Sequence, residues 1–183
     1  MSIKDITTIQ TGFFAKPTGT GDLVYLQSRD FDENGQLLAA LQPDLLTEGV
    51  PEKHLLKQGD VLFAAKGTKN FAAVYEKHNA PAVASTSFFV IRLTGRQVLP
   101  EYLAWFLNSA TAQKIMKAQA IGTSIPSISK QVLENLIIPI PDLQAQQKIL
   151  RINWLRLKEK ALKLKIEALR EKQIQQTIFN AIQ

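Results

Sequence analysis

There is no cysteine in the 183-residue chain, which excludes disulfides and thiolate metal sites. Histidine is nearly absent: His54 and His78 lie in separate polar stretches. Neither has a neighbour at metal-ligand spacing, so both read as surface residues rather than ligands or bases. No stretch approaches the roughly 18 consecutive apolar residues of a membrane span. The opening MSIKDITTIQTGFF lacks the roughly 7–15-residue apolar centre of a secretory signal. The expectation is a soluble, cytoplasmic protein with no membrane partner. The glycine signatures G-x-x-x-x-G-K-[ST] and G-x-G-x-x-G are missing as well. So is the Asn/Asp-Pro-Pro-aromatic signature of adenine-modifying enzymes. Lys66-Gly67-Thr68-Lys69 contains one glycine, too little to cradle a triphosphate. The acidic residues are scattered. Nothing here would carry a reaction, so the chain reads as non-enzymatic, with no catalytic residue, metal site or cofactor of its own.

Hydrophobic residues make up 45% and charged residues 21%, ordinary for a globular protein. The length suits one domain with a real core plus an appendage. The net charge of +6 is unevenly placed. Between Lys148 and Lys172, nine basic residues face Glu159, Glu167 and Glu171, so this segment carries the whole +6. The other residues hold 13 basic and 13 acidic side chains and are neutral as a set. If the first part of the chain binds nucleic acid, it does so through local loops, not bulk charge. The basic segment either adds a sequence-independent pull on phosphates or is a lysine-rich solvated helix face.

Residues 1–98 read mostly as strands and loops. LVYLQ (23–27), DVLFAA (60–65), FAAVY (71–75) and SFFVIRL (87–93) are short apolar runs between turn signals such as Asn34-Gly35, Gly59-Asp60 and Ala80-Pro81. DVLFAA and SFFVIRL are apolar at consecutive positions, which predicts strands covered on both faces. Residues 43–56 are mixed and suggest no element. Pro100 suits the first position of a helix. Leu103, Phe106, Leu107 and Ala110 then recur at helical spacing. Asn108-Ser109 is a candidate break before a second part running to a glycine stop at Gly122. Ser129 can cap a short helix, KQVLEN. In LIIPIP (136–141) the prolines cannot donate to a ladder, so it reads as an edge strand or extended connector.

From Asp142, a good N-cap, no glycine or proline occurs up to Gln183. The segment is rich in strong helix formers, and about 40 residues give a rod of roughly 60 Å. A helix so long must bury its apolar face on something else. Leu155, Leu162 and Leu169 repeat every seven residues, with Ile152 and Ile166 joining that face, a coiled-coil seam. Leu143, Leu150, Leu157, Leu164 and Ile178 form a second heptad track, interrupted by Glu171. Leu157 lies about 200° around the helix from Leu155, so the tracks are nearly opposed. Either the helix is sandwiched between partners, or one seam meets a partner and the other the chain's own globular part.

The stretch Gly122-x-x-x-Pro126-x-Ile128, then Leu133, Leu136-x-Ile138-Pro139-x-Pro141-x-Leu143-x-x-Gln146-x-x-Ile149, resembles the end of a target recognition domain running into the long helix of a Type I restriction–modification specificity subunit. Gly59-Asp60-Val61-Leu62-Phe63 with Gly67 resembles that family's central strand and loop. Ala84-Ser85 before SFFVIRL, Pro100-Glu101-Tyr102-Leu103, Gly122-Thr123 and Ile9-x-Thr11-Gly12 fit in order. The resemblance covers essentially the full length. It departs at Ala145, where the family commonly has glutamate, and in length: family members usually carry two recognition domains and two long helices. This chain has one of each and resembles a half-subunit, either functional or a truncated remnant.

The resemblance implies an α+β fold: a compact mixed sheet-and-helix recognition domain over residues 1–141, then one long coiled-coil helix over 142–183. It implies a DNA-reading adaptor that acts as a homodimer through the helix and reads a bipartite site on double-stranded DNA. A methyltransferase subunit docks on the helices and supplies S-adenosylmethionine-dependent adenine methylation; a motor-nuclease subunit joins for restriction. Candidate DNA contacts are Gln27, Ser28 and Arg29 just after a strand, Lys66, Thr68, Lys69 and Asn70 in a loop, and Thr123, Ser124 and Lys130 around the glycine turn and helix cap. Candidate interface residues are Ile152, Leu155, Leu162, Ile166 and Leu169 on one seam and Leu150, Leu157 and Leu164 on the other. A non-DNA coiled-coil module that binds a methyltransferase remains a second reading, supported by the neutral charge of residues 1–147.

Overall fold

The computed structural model describes residues 1–32, 35–66, 70–76, 81–119 and 127–182. The chain divides into two compact units, Met1–Leu143 and Gln144–Gln183, taken in turn. The first is a mixed α+β unit. An antiparallel sheet orders its strands β1 (Thr7–Thr11), β6 (Phe88–Leu93), β3 (Val61–Ala64) and β4 (Ala72–Val74). A second sheet is a parallel pair, β2 (Val24–Leu26) with β5 (Ala82–Ala84).

The consecutive apolar runs are central strands, as expected. All four residues of β3 are buried, because both its faces are covered. Leu62 and Ala64 join Phe88, Val90, Val24, Leu26, Ala82 and Ala84 in one core cluster. That cluster fills the space between the two sheets. On the other side, α1 (Pro100–Leu107) packs along β3 and β4. The outer face of the small sheet presents Leu23, Tyr25 and Val83, which cluster with Leu45, Val50 and Leu55. Residues 43–56 therefore cover the small sheet, and this is why they carry no periodicity: their apolar residues are spaced to fit a lid, not a helix or strand.

Two strands escaped the sequence pattern. β1, Thr7–Thr11, is mostly polar in sequence, and Ala82–Ala84 is three small residues.

The expected helix break is at Asn108, which does structural work. Its Oδ1 accepts the Ala72 N–H (2.7 Å) and its Nδ2 donates to the Ala72 carbonyl (2.8 Å). The side chain thus stands in for a neighbouring strand on the free edge of β4. The second part, α2, is Ala110–Ala118 and stops short of the expected Gly122, which lies outside the described residues. It closes with a tight bond from Gln119 N–H to the Met116 carbonyl (3.1 Å), a 3-10-type ending that needs no glycine. Ser129 caps α3 (Lys130–Asn135) by accepting the Val132 N–H at 3.2 Å. LIIPIP is an extended connector bridged to the chain start. Ile3 N–H donates to the Leu136 carbonyl (3.0 Å) and Ile138 N–H to the Met1 carbonyl (2.9 Å).

A buried ion pair ties the sheet together. Asp60 accepts from Arg92 through both carboxylate oxygens (2.7 and 2.6 Å) and also takes the Lys57 N–H (2.8 Å). The bidentate contact raises the Arg92 pKa above the ordinary guanidinium value.

The second unit is helical. α4 spans 39 residues, Leu143–Ala181, beginning one residue after Asp142.

Candidate nucleic-acid interface

Strand register decides which loops share an end of the molecule. Thr11 pairs with Phe89, Ala64 with Phe88, Phe63 with Ala72, and Leu26 with Ala84. The C-terminal ends of β1, β2, β3 and β5 and the N-terminal ends of β4 and β6 therefore lie together. The segments leaving those ends are stitched by backbone bonds. Phe13 N–H donates to the Ala84 carbonyl (2.8 Å), Ser85 N–H to Leu26 (2.8 Å), Ala65 N–H to Ser87 (3.0 Å) and Ile128 N–H to Ala65 (2.9 Å). Lys66 bridges to Ser127.

The close approach at this end requires Gly12. A Cβ there would stand 2.0 Å from the Ser85 carbonyl oxygen, nearer than any side chain can be. Tyr25 pins the same strip: its hydroxyl donates to the Phe13 carbonyl (3.0 Å) and receives the Ala15 N–H (3.3 Å).

Among the expected DNA contacts, Gln27, Ser28 and Arg29 stand where β2 ends, the last two in a short 3-10 turn. The turn is held by Gln27 N–H donating to Asp30 Oδ2 (2.7 Å), which leaves Arg29 exposed. These residues line an open groove of about 410 Å³ together with Lys16 and the Ser85–Ser87 loop. Ser85 and Ser87 share a hydroxyl hydrogen bond of 2.6 Å. Among the described residues, two cations and no carboxylate line the groove, although the chain up to residue 147 is neutral.

Lys66, one residue beyond the Ala65–Ser87 bond, is exposed at the same end. Asn70 gives one amide hydrogen to the Ala64 carbonyl (2.9 Å), so part of its donor capacity holds its own loop. Lys130 opens α3 and pairs with Glu134 at 3.4 Å. Thr68, Lys69, Thr123 and Ser124 lie outside the described residues, as does His78.

His54, expected at the surface, is instead half-buried. Its ring lies 5.3 Å from that of Phe13, and its Nδ1 is buried with no partner among the described residues. Burial, with help from Lys53, holds its pKa below the ordinary imidazole value. Among the described residues no cluster of side chains could hold a metal, and no helix is long and apolar enough to cross a membrane.

On α4 the expected interface residues are largely in solvent. Ile152, Leu155, Leu157, Leu162, Leu164, Ile166 and Leu169 are 39 to 66% exposed, and Leu150 is half-buried. Glu159 pairs with Lys163 at 2.6 Å, and Lys158 stands 4.8 Å over the Trp154 ring; neither contact covers the leucines.

The family model for the Type I restriction modification DNA specificity domain matches residues 1–178. The Type I restriction enzyme HindI specificity subunit of Haemophilus influenzae is 33% identical over 103 residues, covering 55% of this chain and 22% of that protein. The crystal structure of the HsdS subunit from Thermoanaerobacter tengcongensis superposes with a TM-score of 0.68 at 22% identity, over 95% of this chain and 46% of that one. A chain from work on complex assembly and conformational transition of the type I R-M system superposes with a TM-score of 0.61 at 18% identity, over 88% and 39%. At such identities the superpositions show the fold alone. The chain spans less than half the length of each of these proteins.

Proposed function

The chain belongs to the Type I restriction modification DNA specificity family, and from that membership we propose that it is the non-catalytic, sequence-reading part of a DNA-modifying complex. Residues 1–141 act as the target recognition domain, and 142–183 as the helix for pairing and docking. The observation that carries this is the gathering of Gln27, Ser28, Arg29 and Lys66 at one end of two sheets, the first three lining a groove that among the described residues holds two cations and no acid. Donors of the glutamine and arginine type read base edges, and lysines hold phosphates.

The exposed leucines of α4 supply the second half of the proposal. An apolar heptad track in solvent calls for a partner helix, and two opposed tracks allow two partners. Two copies pair through one seam, and a methyltransferase subunit docks on the other and brings the S-adenosylmethionine. It also flips the target adenine out of the duplex. A motor-nuclease subunit joins the same assembly for restriction. Because the pair is twofold, its site is bipartite and palindromic.

The test is methylation of a plasmid by the purified methyltransferase with and without this chain. Methylation confined to one gapped motif, and only with the chain present, supports the proposal. A second reading, a docking module that reads nothing, draws on the neutral charge of residues 1–147. It predicts a stable complex with the methyltransferase and no motif.

A further inference from the structure

The strip after Gly12 alternates. Phe13 is turned inward against His54, and Ala15 packs on the Leu23–Tyr25–Val83 cluster. Phe14 and Lys16, two residues apart, therefore share the outward face. Phe14 is 70% exposed and lines the groove with Gln27 and Arg29. Its exposure is built in. Phe13 is bound by Ala84 and by Tyr25, and Ala15 by the same Tyr25 hydroxyl, so Phe14 cannot turn into either core cluster.

A single exposed phenylalanine is common on protein surfaces and means little alone. This one is fixed beside a cation, in the lining of a groove that also holds Gln27 and Arg29, side-chain types that read base edges. In the major groove of DNA the one apolar feature is the thymine 5-methyl group. We infer that Phe14 is a specificity-determining residue that packs on a thymine methyl, with Lys16 holding a neighbouring phosphate. The inference rests on the DNA-reading function proposed above.

The test is selection of bound duplexes from a randomised library by the full chain together with the Type I methyltransferase. Wild type, Phe14→Ala and Lys16→Ala are compared, followed by affinities for the selected duplex with thymine or uracil at each T. Wild type is expected to enrich a motif containing a thymine whose preference Phe14→Ala loses. At that position uracil should weaken wild-type binding about fourfold, the factor for one buried methyl-sized group, and leave Phe14→Ala unchanged. Lys16→Ala should weaken all duplexes alike and lower the salt slope by about one. A wild-type motif that Phe14→Ala retains at full affinity overturns the inference and leaves the proposed function standing. So does loss of preference at a position other than thymine. Enrichment of no motif by wild type overturns both.

Discussion

At the scale of residues, Asp60 and Arg92 hold the central sheet through two short bonds, with Asp60 almost wholly inside. Removing one partner leaves a buried charge uncompensated. Because Arg92 keeps about a third of its side chain in water, the low end of the range for buried pairs applies. Asp60→Ala should cost ~3 kcal/mol and lower Tm by ~6–12 °C, measured by thermal melting of the purified chain. An unchanged Tm would show that the pair is structurally idle. Arg29→Ala and Lys66→Ala should part in their effects on DNA. Loss of a base reader relaxes one position of the motif by ~1–3 kcal/mol, whereas loss of a phosphate contact weakens all sequences and reduces the salt slope by about one. Competition binding at two salt concentrations separates the two. The sequence showed Gly59-Asp60 as a turn before a strand, but its partner lies 32 residues away and no local pattern links them. Phe14 carries no local sequence signal for a similar reason. Its meaning comes from what pins Phe13 and Ala15, and those contacts are made by Tyr25 and Ala84.

At the scale of elements, legibility followed the strength of the pattern. β3 and β6 could be read from unbroken apolar runs, and α4 from the absence of any glycine or proline after Pro141. The Asn108 break was readable because an Asn-Ser pair favours caps and turns. β5 was not, because Ala82-Val83-Ala84 is set by its neighbours on both faces. Of the candidate site, the segments Gln27–Arg29 and Lys66 were legible as loops that follow strands, but not their gathering at one end, which depends on register across two sheets. The heptad track on α4 makes a direct prediction. In the proposed symmetric pair, replacing Leu155, Leu162 and Leu169 with polar residues would remove six leucines from the interface. At roughly 1.5–3 kcal/mol each, that exceeds the ~8 kcal/mol of a micromolar dimer. Light scattering after size exclusion should show monomers at micromolar concentration, with the fold of the first unit retained by circular dichroism. A triple variant that stays dimeric would assign pairing to another surface.

At the scale of the whole molecule, charge is unevenly placed. The net +6 lies on the helix between Lys148 and Lys172, while the first unit is neutral apart from the local cations at its groove. On this account affinity and specificity come from different places. Raising salt should weaken binding to all DNA while leaving the preferred motif unchanged; a motif that shifts with salt would speak against that division. In the proposed homodimer, twofold pairing would turn one reading surface into two, and the geometry of the paired helices would fix the gap between half-sites. The central claim, that this chain selects where a partner methylates, is tested most directly by mapping adenine methylation across the source genome with and without its gene. The account predicts the loss of one symmetric, gapped motif and no other change. An asymmetric motif would replace the homodimer with a mixed pair, and an unchanged methylation map would contradict the claim outright.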